Sequence, residues 1–189
     1  MTLEEDVRNA VETMKRGGII LYPTDTIWGI GCDATRSDAV KRVFELKQRS
    51  DSKALIVLLG DAEHLDKYVD EVPEVAYQLI EAAATPVTVI YDGARRLAPE
   101  TIAEDGSVGI RITSEEVSRR LCNALRRPLV STSANRSGMP SPCFFDEISS
   151  DIIKGVDYVM TSRRDDHTPA RPSSIIKLGV DGQVKIIRK

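Results

Sequence analysis

Five short stretches of this chain hold residue types that could do chemistry. Lys47 and Arg49 are separated by one residue, with Lys53 close behind. Two cations leaving a helix can converge on one anion, the arginine as a planar fork and the lysine as a point charge. The same pair also suits a solvated helix C-terminus, where the macrodipole favours positive charge. Ser131, Thr132, Ser133 and Asn135 place four small hydrogen-bonding side chains just ahead of the Arg136-Ser137-Gly138 turn. Such a segment can be an ordinary Asx or Ser turn. Directly after a strand, it is also where α/β sheets bind ligands, and its donors suit phosphate or ribose oxygens. Thr24, Asp25 and Thr26 form a third polar group, followed by Trp28. Arg111 lies inside Val108-Gly109-Ile110-Arg111-Ile112, a stretch otherwise built for burial, so it needs an anionic partner, from the protein or from a ligand. Ser173 and Ser174 follow Pro172 and open a further apolar run.

Other chemistries lack their residues. There is no phosphate-binding GxxxxGK[ST] loop and no GxSxG nucleophile turn, and Gly29-Ile30-Gly31 is only a fragment of a dinucleotide-binding fingerprint. The two histidines, His64 and His167, have no partner pattern for zinc or for a triad and read as solvated. Cys32, Cys122 and Cys143 are odd in number and far apart, which predicts a reducing compartment and no structural zinc. What remains are cations, hydroxyls and backbone amides, a set suited to positioning phosphates rather than to base catalysis.

The elements that must position these groups follow from hydrophobic period. Leu3, Val7, Ala10, Val11 and Met14 fall on one helical face over 3–16, with Thr2 and Glu5 spaced as a capping box and Gly17-Gly18 as a stop. Helices are also predicted from Ser37 to about Lys47, after Pro73, from Ser114, and near 146–154, with a short one capped by Asp61. Strands are predicted at 19–22, 54–59, 86–91, 107–112, 129–132, 157–160, 173–178 and 184–189, the last two joined by an Asp181-Gly182 hairpin. Residues 24–34 are too Gly-punctuated for a simple element. With 189 residues, a net charge of −3 and 41% hydrophobic content, the chain predicts one soluble α/β domain over 1–189. It has no apolar run near the ~20 residues of a membrane span, and the acidic start is no secretory signal. The charge disfavours a strongly basic nucleic-acid binder, although arginine pairs at 95–96, 119–120, 126–127 and 163–164 permit a local basic face.

Taken together and in order, PTDTIWGIGCDA, KQR followed by ALIVLL, PVTVI, VGIRI, STSANRSGMPSP, PSSII and the terminal IIR give a pattern that resembles the YrdC/TsaC family of L-threonylcarbamoyladenylate synthases. The resemblance spans residues 23 to 188. It implies a YrdC-like, twisted, open mixed sheet flanked by helices around a concave cationic cleft. The implied activity is that of a nucleotidyltransferase: ATP, L-threonine and bicarbonate or CO2 give threonylcarbamoyl-AMP and pyrophosphate, Mg2+ arriving with the ATP and no metal held by protein ligands. The product serves threonylcarbamoyladenosine modification of tRNA, through downstream transferase proteins, in the cytoplasm. Residue by residue, Lys47 and Arg49 would hold the phosphates and act catalytically. Ser133, Asn135, Ser141 and Arg188 would contact the nucleotide, and Thr24, Arg111, Ser131 and Ser173 would form the threonine pocket, Arg111 facing the carboxylate. The chain departs from many relatives at Ala54, Leu58, Ala84, Thr85 and Thr113. The polar segment 161–172 is a candidate lid. The alternative is a non-catalytic double-stranded RNA or tRNA-binding module. A third reading, a carbamoyl-phosphate-handling domain of the same fold, belongs in longer zinc-finger chains that this cysteine count does not match.

Overall fold

The structure is a computed structural model that describes residues 1–48, 55–170, 172–179 and 181–189. Arg49, Lys53 and Ala54 therefore lie outside the described residues, as does Arg171 within the candidate lid. Nine strands form one mixed sheet: β1 (Ile20–Tyr22), β2 (Gly29–Gly31), β3 (Ile56–Leu59), β4 (Val87–Tyr91), β5 (Val108–Ile112), β6 (Leu129–Ser133), β7 (Tyr158–Val159), β8 (Ser174–Leu178) and β9 (Val184–Arg188). Their spatial order is β7-β1-β2-β6-β3-β5-β4-β8-β9. Pairings β1/β7, β3/β5 and β4/β8 are parallel and the other five antiparallel. Five α-helices accompany the sheet: α1 (Leu3–Lys15), α2 (Ser37–Lys47), α3 (Glu74–Ala82), α4 (Glu116–Leu125) and α5 (Ser150–Gly155).

Strand alternation divides the core in two. Ile19, Leu21, Val57, Leu59, Ile110 and Val130 face one side, packed with Val40, Val43 and Phe44 of α2 and with Ala76 and Ile152 of α3 and α5. Ile20, Tyr22, Leu58 and Leu129 face the other, under Val7, Val11 and Met14 of α1 and Val117, Leu121 and Leu125 of α4. Leu58, one of the departures, is thus a fully buried core residue beneath the two helices.

The predicted elements are present with local differences. The Thr2–Glu5 capping box forms. Ser37 is the first residue of α2 rather than its cap, and Arg36 takes that place without a side-chain bond. The Asp61 carboxylate pairs with His64 Nδ1 at 2.8 Å rather than capping the 3-10 turn behind it. Glu115, not Ser114, caps α4, its carboxylate accepting from the amides of Val117 and Ser118. β2 was not predicted, because both of its ends are glycine. A Cβ at Gly31 would sit 2.7 Å from the Tyr22 ring and 2.8 Å from the Val130 carbonyl, so the strand runs where only glycine fits.

One buried carboxylate ties the N-terminal helix to the segment leaving β7. Asp6 accepts from the Tyr158 hydroxyl at 2.7 Å, and from the amides and hydroxyls of Thr161 and Ser162 at 2.6–3.1 Å. Burial pushes its pKa up, but these donors more than offset that and hold it below 3.8. A depressed carboxylate stabilises the fold above its unfolded pKa, and the stabilisation is lost as pH falls through the folded value. Asp6→Asn should cost about 2 kcal/mol and lower Tm by several degrees at neutral pH. The gap between variant and wild type should close in thermal melts as pH falls below 3.8.

Candidate active site

The end of α2 and the exit of β6 meet through one ammonium group. Lys47 is 2% exposed. Its Nζ donates to the carbonyl of Ser133 and, at 2.6 Å, to that of Asn135. The Ser137 amide returns a bond to the Lys47 carbonyl at 2.8 Å. Gln48 then ends the helix in the left-handed region, φ 50°. The side-chain amide of Asn135 donates to the carbonyls of Met139, at 2.6 Å, and Arg136, at 3.0 Å, so this residue closes the turn it belongs to. Its Oδ1 is buried without a partner.

Beside this loop lies a cavity of about 270 Å³, slightly below the ~300–1,000 Å³ usual for ligand pockets. Ser131, Thr132 and Ser133 of β6 form one wall, Thr26, Ile27, Trp28 and Gly29 a second, and Leu55 and Ile56 a third. Arg111, Ser141, Ser173 and Arg188 complete it, and among the described residues no carboxylate side chain lines it. Trp28 is 4% exposed. It is fixed from behind by the Phe145 ring, 4.9 Å between centroids, and its carbonyl accepts from the Ala134 amide at 3.0 Å.

The two arginines are held differently. Arg111, within the central strand β5, is 3% exposed and pairs with Asp25 Oδ1 at 3.0 Å. Its Nε has no hydrogen-bond partner although it is buried. Arg188, on the terminal strand β9, donates from Nε at 3.0 Å and Nη2 at 2.7 Å to the single carbonyl of Ser173. The Ser173 hydroxyl pairs with Thr88 Oγ1 at 2.8 Å. Tyr22 packs beneath Ser131, and burial pushes its phenol far above 10, so it stays neutral.

The structure therefore brings Arg111, Ser131, Ser133, Ser141, Ser173 and Arg188 to one cavity. Lys47 and Asn135 stand behind its wall, bonded to the loop's own carbonyls, and Arg49 lies outside the described residues. Thr24 is not among the lining residues: its hydroxyl donates to the Ile27 carbonyl at 2.8 Å and accepts from the Thr26 amide at 3.0 Å, which knots the loop between β1 and β2. That loop is also clamped from outside, where Arg163 Nη1 donates to the Thr24 carbonyl at 3.1 Å and reaches Glu115 at the same distance. The candidate lid is thus fastened along its first residues, through Asp6 and Arg163. The residue that sequence reasoning left without a role is Asp25. A carboxylate in a loop otherwise made of hydroxyls, in a chain with a strand arginine in need of an anion, was the available signal.

A family model for Sua5, YciO and YrdC, described as telomere recombination, matches residues 12–189. The chain belongs to the Sua5/YciO/YrdC family. A threonylcarbamoyl-AMP synthase of Vibrio parahaemolyticus is 36% identical over 146 residues, 76% of this chain and 77% of that protein. A putative threonylcarbamoyl-AMP synthase of Methanocaldococcus jannaschii is 34% identical over 188 residues, 97% of this chain and 87% of that one. Among solved structures, a double-alanine variant of P. abyssi Sua5 superposes with a TM-score of 0.88 at 25% identity, over 100% of this chain. P. abyssi Sua5 complexed with L-threonine gives 0.83 at 26%, over 94%. This chain spans 57% and 52% of those two longer chains. The expected open mixed sheet flanked by helices is the fold these family members share.

Removing the Lys47 ammonium while keeping its apolar stem should loosen the loop it holds. Lys47→Met is expected to cost about 3 kcal/mol, because two buried carbonyls lose their donor. Hydrogen exchange should speed up at the amides of Asn135 and Ser137 more than in α1 or β4. Uniform exchange across the sheet would contradict the assigned contact.

Proposed function

We propose that this chain is a threonylcarbamoyl-AMP synthase that uses ATP, L-threonine and bicarbonate or CO2 and releases pyrophosphate. The observation that carries the proposal is the junction of the Lys47 helix end with the Ser133–Asn135 loop, beside a cavity that the described residues line with two arginines and several hydroxyls. Two substrates that are both anions must meet there, and a carboxylate wall would repel them. The relatives named for this activity cover most of the chain.

In the proposed reaction the threonine amine attacks the carbon of CO2, giving a carbamate and releasing one proton to water or bicarbonate. A carbamate oxygen then attacks the α-phosphorus, the bond to the bridging oxygen breaks, and pyrophosphate leaves with its electron pair. The protein supplies proximity, charge neutralisation and exclusion of water rather than a base. Arg111, which lines the cavity, would receive the threonine carboxylate beside Ser131, with Ser173 close by. Arg49 would reach the phosphates, with Lys47 adding its charge from behind the loop it positions. Ser133, Ser141 and Arg188 would contact the nucleotide, Asn135 shaping the loop from within and Thr24 shaping the threonine side through the knot it ties. Mg2+ would arrive on the phosphate oxygens of ATP. The product would pass to transferase proteins that modify tRNA, a role that calls for a cytoplasmic enzyme; no described helix is long and apolar enough to cross a membrane.

Incubation with ATP, threonine and bicarbonate should release pyrophosphate only when all three are present. Release without threonine would indicate a different acceptor, and salt-sensitive RNA binding with no release would favour the non-catalytic module. Lys47→Ala and Arg49→Ala should each lower release a hundredfold or more. Arg111→Ala should raise the threonine requirement more than the ATP requirement.

A further inference from the structure

We infer that Asp25 is a positioning residue for amino-acid binding: its carboxylate, paired with the Arg111 guanidinium, holds that guanidinium in the wall of the active cavity, where it can meet the substrate carboxylate. The inference rests on the function proposed above and adds to it a residue outside the cavity wall.

Four observations carry it. Arg111 and Asp25 are both buried, at 3% and 10% side-chain exposure, with Nη2 and Oδ1 3.0 Å apart. A guanidinium in the middle of a sheet needs a partner charge, and Asp25 is the one carboxylate paired with it among the described residues. The pair also stands between two spaces. Arg111 lines the active cavity, whereas Asp25 lines a separate cavity of about 230 Å³ bounded by Ile80, Thr85, Pro86 and Ile112. Arg111 is therefore drawn from behind by charge: the contact is an ion pair at 3.0 Å, and both Asp25 Oδ1 and Arg111 Nε are buried without a hydrogen-bond partner. Finally, Asp25 is itself held in place. It sits in the loop that Thr24 knots from inside and Arg163 clamps from outside, so its carboxylate cannot follow Arg111 if the arginine swings.

Burial pushes the Asp25 pKa up, and Arg111 opposes that shift. The carboxylate therefore depends on the arginine as much as the arginine depends on it. A substrate carboxylate arriving on the other side of Arg111 would complete a carboxylate–guanidinium–carboxylate line, with the guanidinium unable to turn toward either end. This arrangement serves recognition of an amino acid's α-carboxylate, which is planar and suited to a pre-oriented fork. It contributes nothing to gripping a triphosphate, so the effects of losing it should fall on one substrate.

The test is steady-state pyrophosphate release by the full chain, varying threonine and ATP separately. Asp25→Asn keeps the shape and removes the charge. It should raise the threonine KM tenfold or more, leave the ATP KM within twofold and change kcat by less than threefold. Asp25→Glu, which retains the charge on a longer arm, should recover part of the threonine affinity. Thermal melts establish that each variant is folded. If Asp25→Asn does not fold, the threonine KM of Asp25→Glu decides: an unchanged value overturns the inference. Equal rises in both KM values would mean a merely structural ion pair. A collapse of kcat at unchanged threonine KM would make Asp25 a participant in the chemistry; either result overturns the positioning role. Absence of release by the wild-type chain would refute the proposed function instead, a different outcome from an active wild type with an unaffected Asp25→Asn variant.

Discussion

The arrangement of this site depends on a single buried ammonium. Lys47 ends α2 and has almost no contact with solvent, yet its Nζ reaches two main-chain carbonyls in a loop 86 and 88 residues further along the chain. Burying a charge in this way is favourable only if close acceptors replace its water. The carbonyls of Ser133 and Asn135 do so because the loop turns back on itself there, with Asn135 bonding the carbonyls of Arg136 and Met139. The constraint therefore runs both ways. The loop takes the shape that satisfies the lysine, and the lysine fixes where α2 hands the chain to the residues after it. The serine wall of β6 follows from that junction.

The surrounding sheet explains why the cavity collects hydroxyls and guanidinium groups without carboxylates. β6 lies between β2 and β3, and it delivers Ser131, Thr132 and Ser133 from successive positions as it leaves the sheet. β5 runs parallel to β3 and carries Arg111 opposite Leu58, so the arginine rises beside an apolar neighbour that cannot compete for it. The nearest acid is held in a separate loop and neutralised by the same arginine. Under the proposed function, an environment of this kind would lower the repulsion between two anionic reactants and exclude water from a labile carbamate. Neither task requires a histidine, and both histidines are exposed, bonded to Asp61 and Asp146.

Much of this was legible in the chain, for reasons that differ from element to element. The helices were visible because α1 and α4 place apolar residues on a single face. The strands were visible because they are short apolar runs bounded by Gly, Pro or Asp. β2 was invisible, since two of its three residues are glycines, one of them, Gly31, imposed by a close approach to Tyr22 and Val130. Among site residues, Arg111 could be singled out because a charged residue in a buried strand is anomalous by itself. Ser131 and Ser133 were marked by their density. Whether a hydroxyl faces the cavity or the backbone is decided by turn geometry, which sequence spacing does not encode. Thr24 and Ser131 look alike in the sequence, but Thr24 spends its hydroxyl on Ile27 and Thr26. Asp25 was named within its polar group but given no role for a related reason: its partner, Arg111, is 86 residues away on β5.

The two arginines of the cavity illustrate how position in a sheet sets what a charge can do. Arg111 belongs to a strand paired on both sides, and its guanidinium is buried against a fixed acid. Moving it would break an ion pair that has no water to replace it, so it suits a small ligand whose carboxylate always occupies the same place. Arg188 ends the outermost strand, where Val184, Ile186 and Ile187 are each about half exposed and one edge of the strand has no neighbour. It is held through a neutral carbonyl rather than a carboxylate. Exchanging that carbonyl for a phosphate oxygen strengthens the hydrogen bond, because the new acceptor is charged. Arg188 is therefore the less firmly anchored of the two, a difference that follows from where β5 and β9 lie in the strand order.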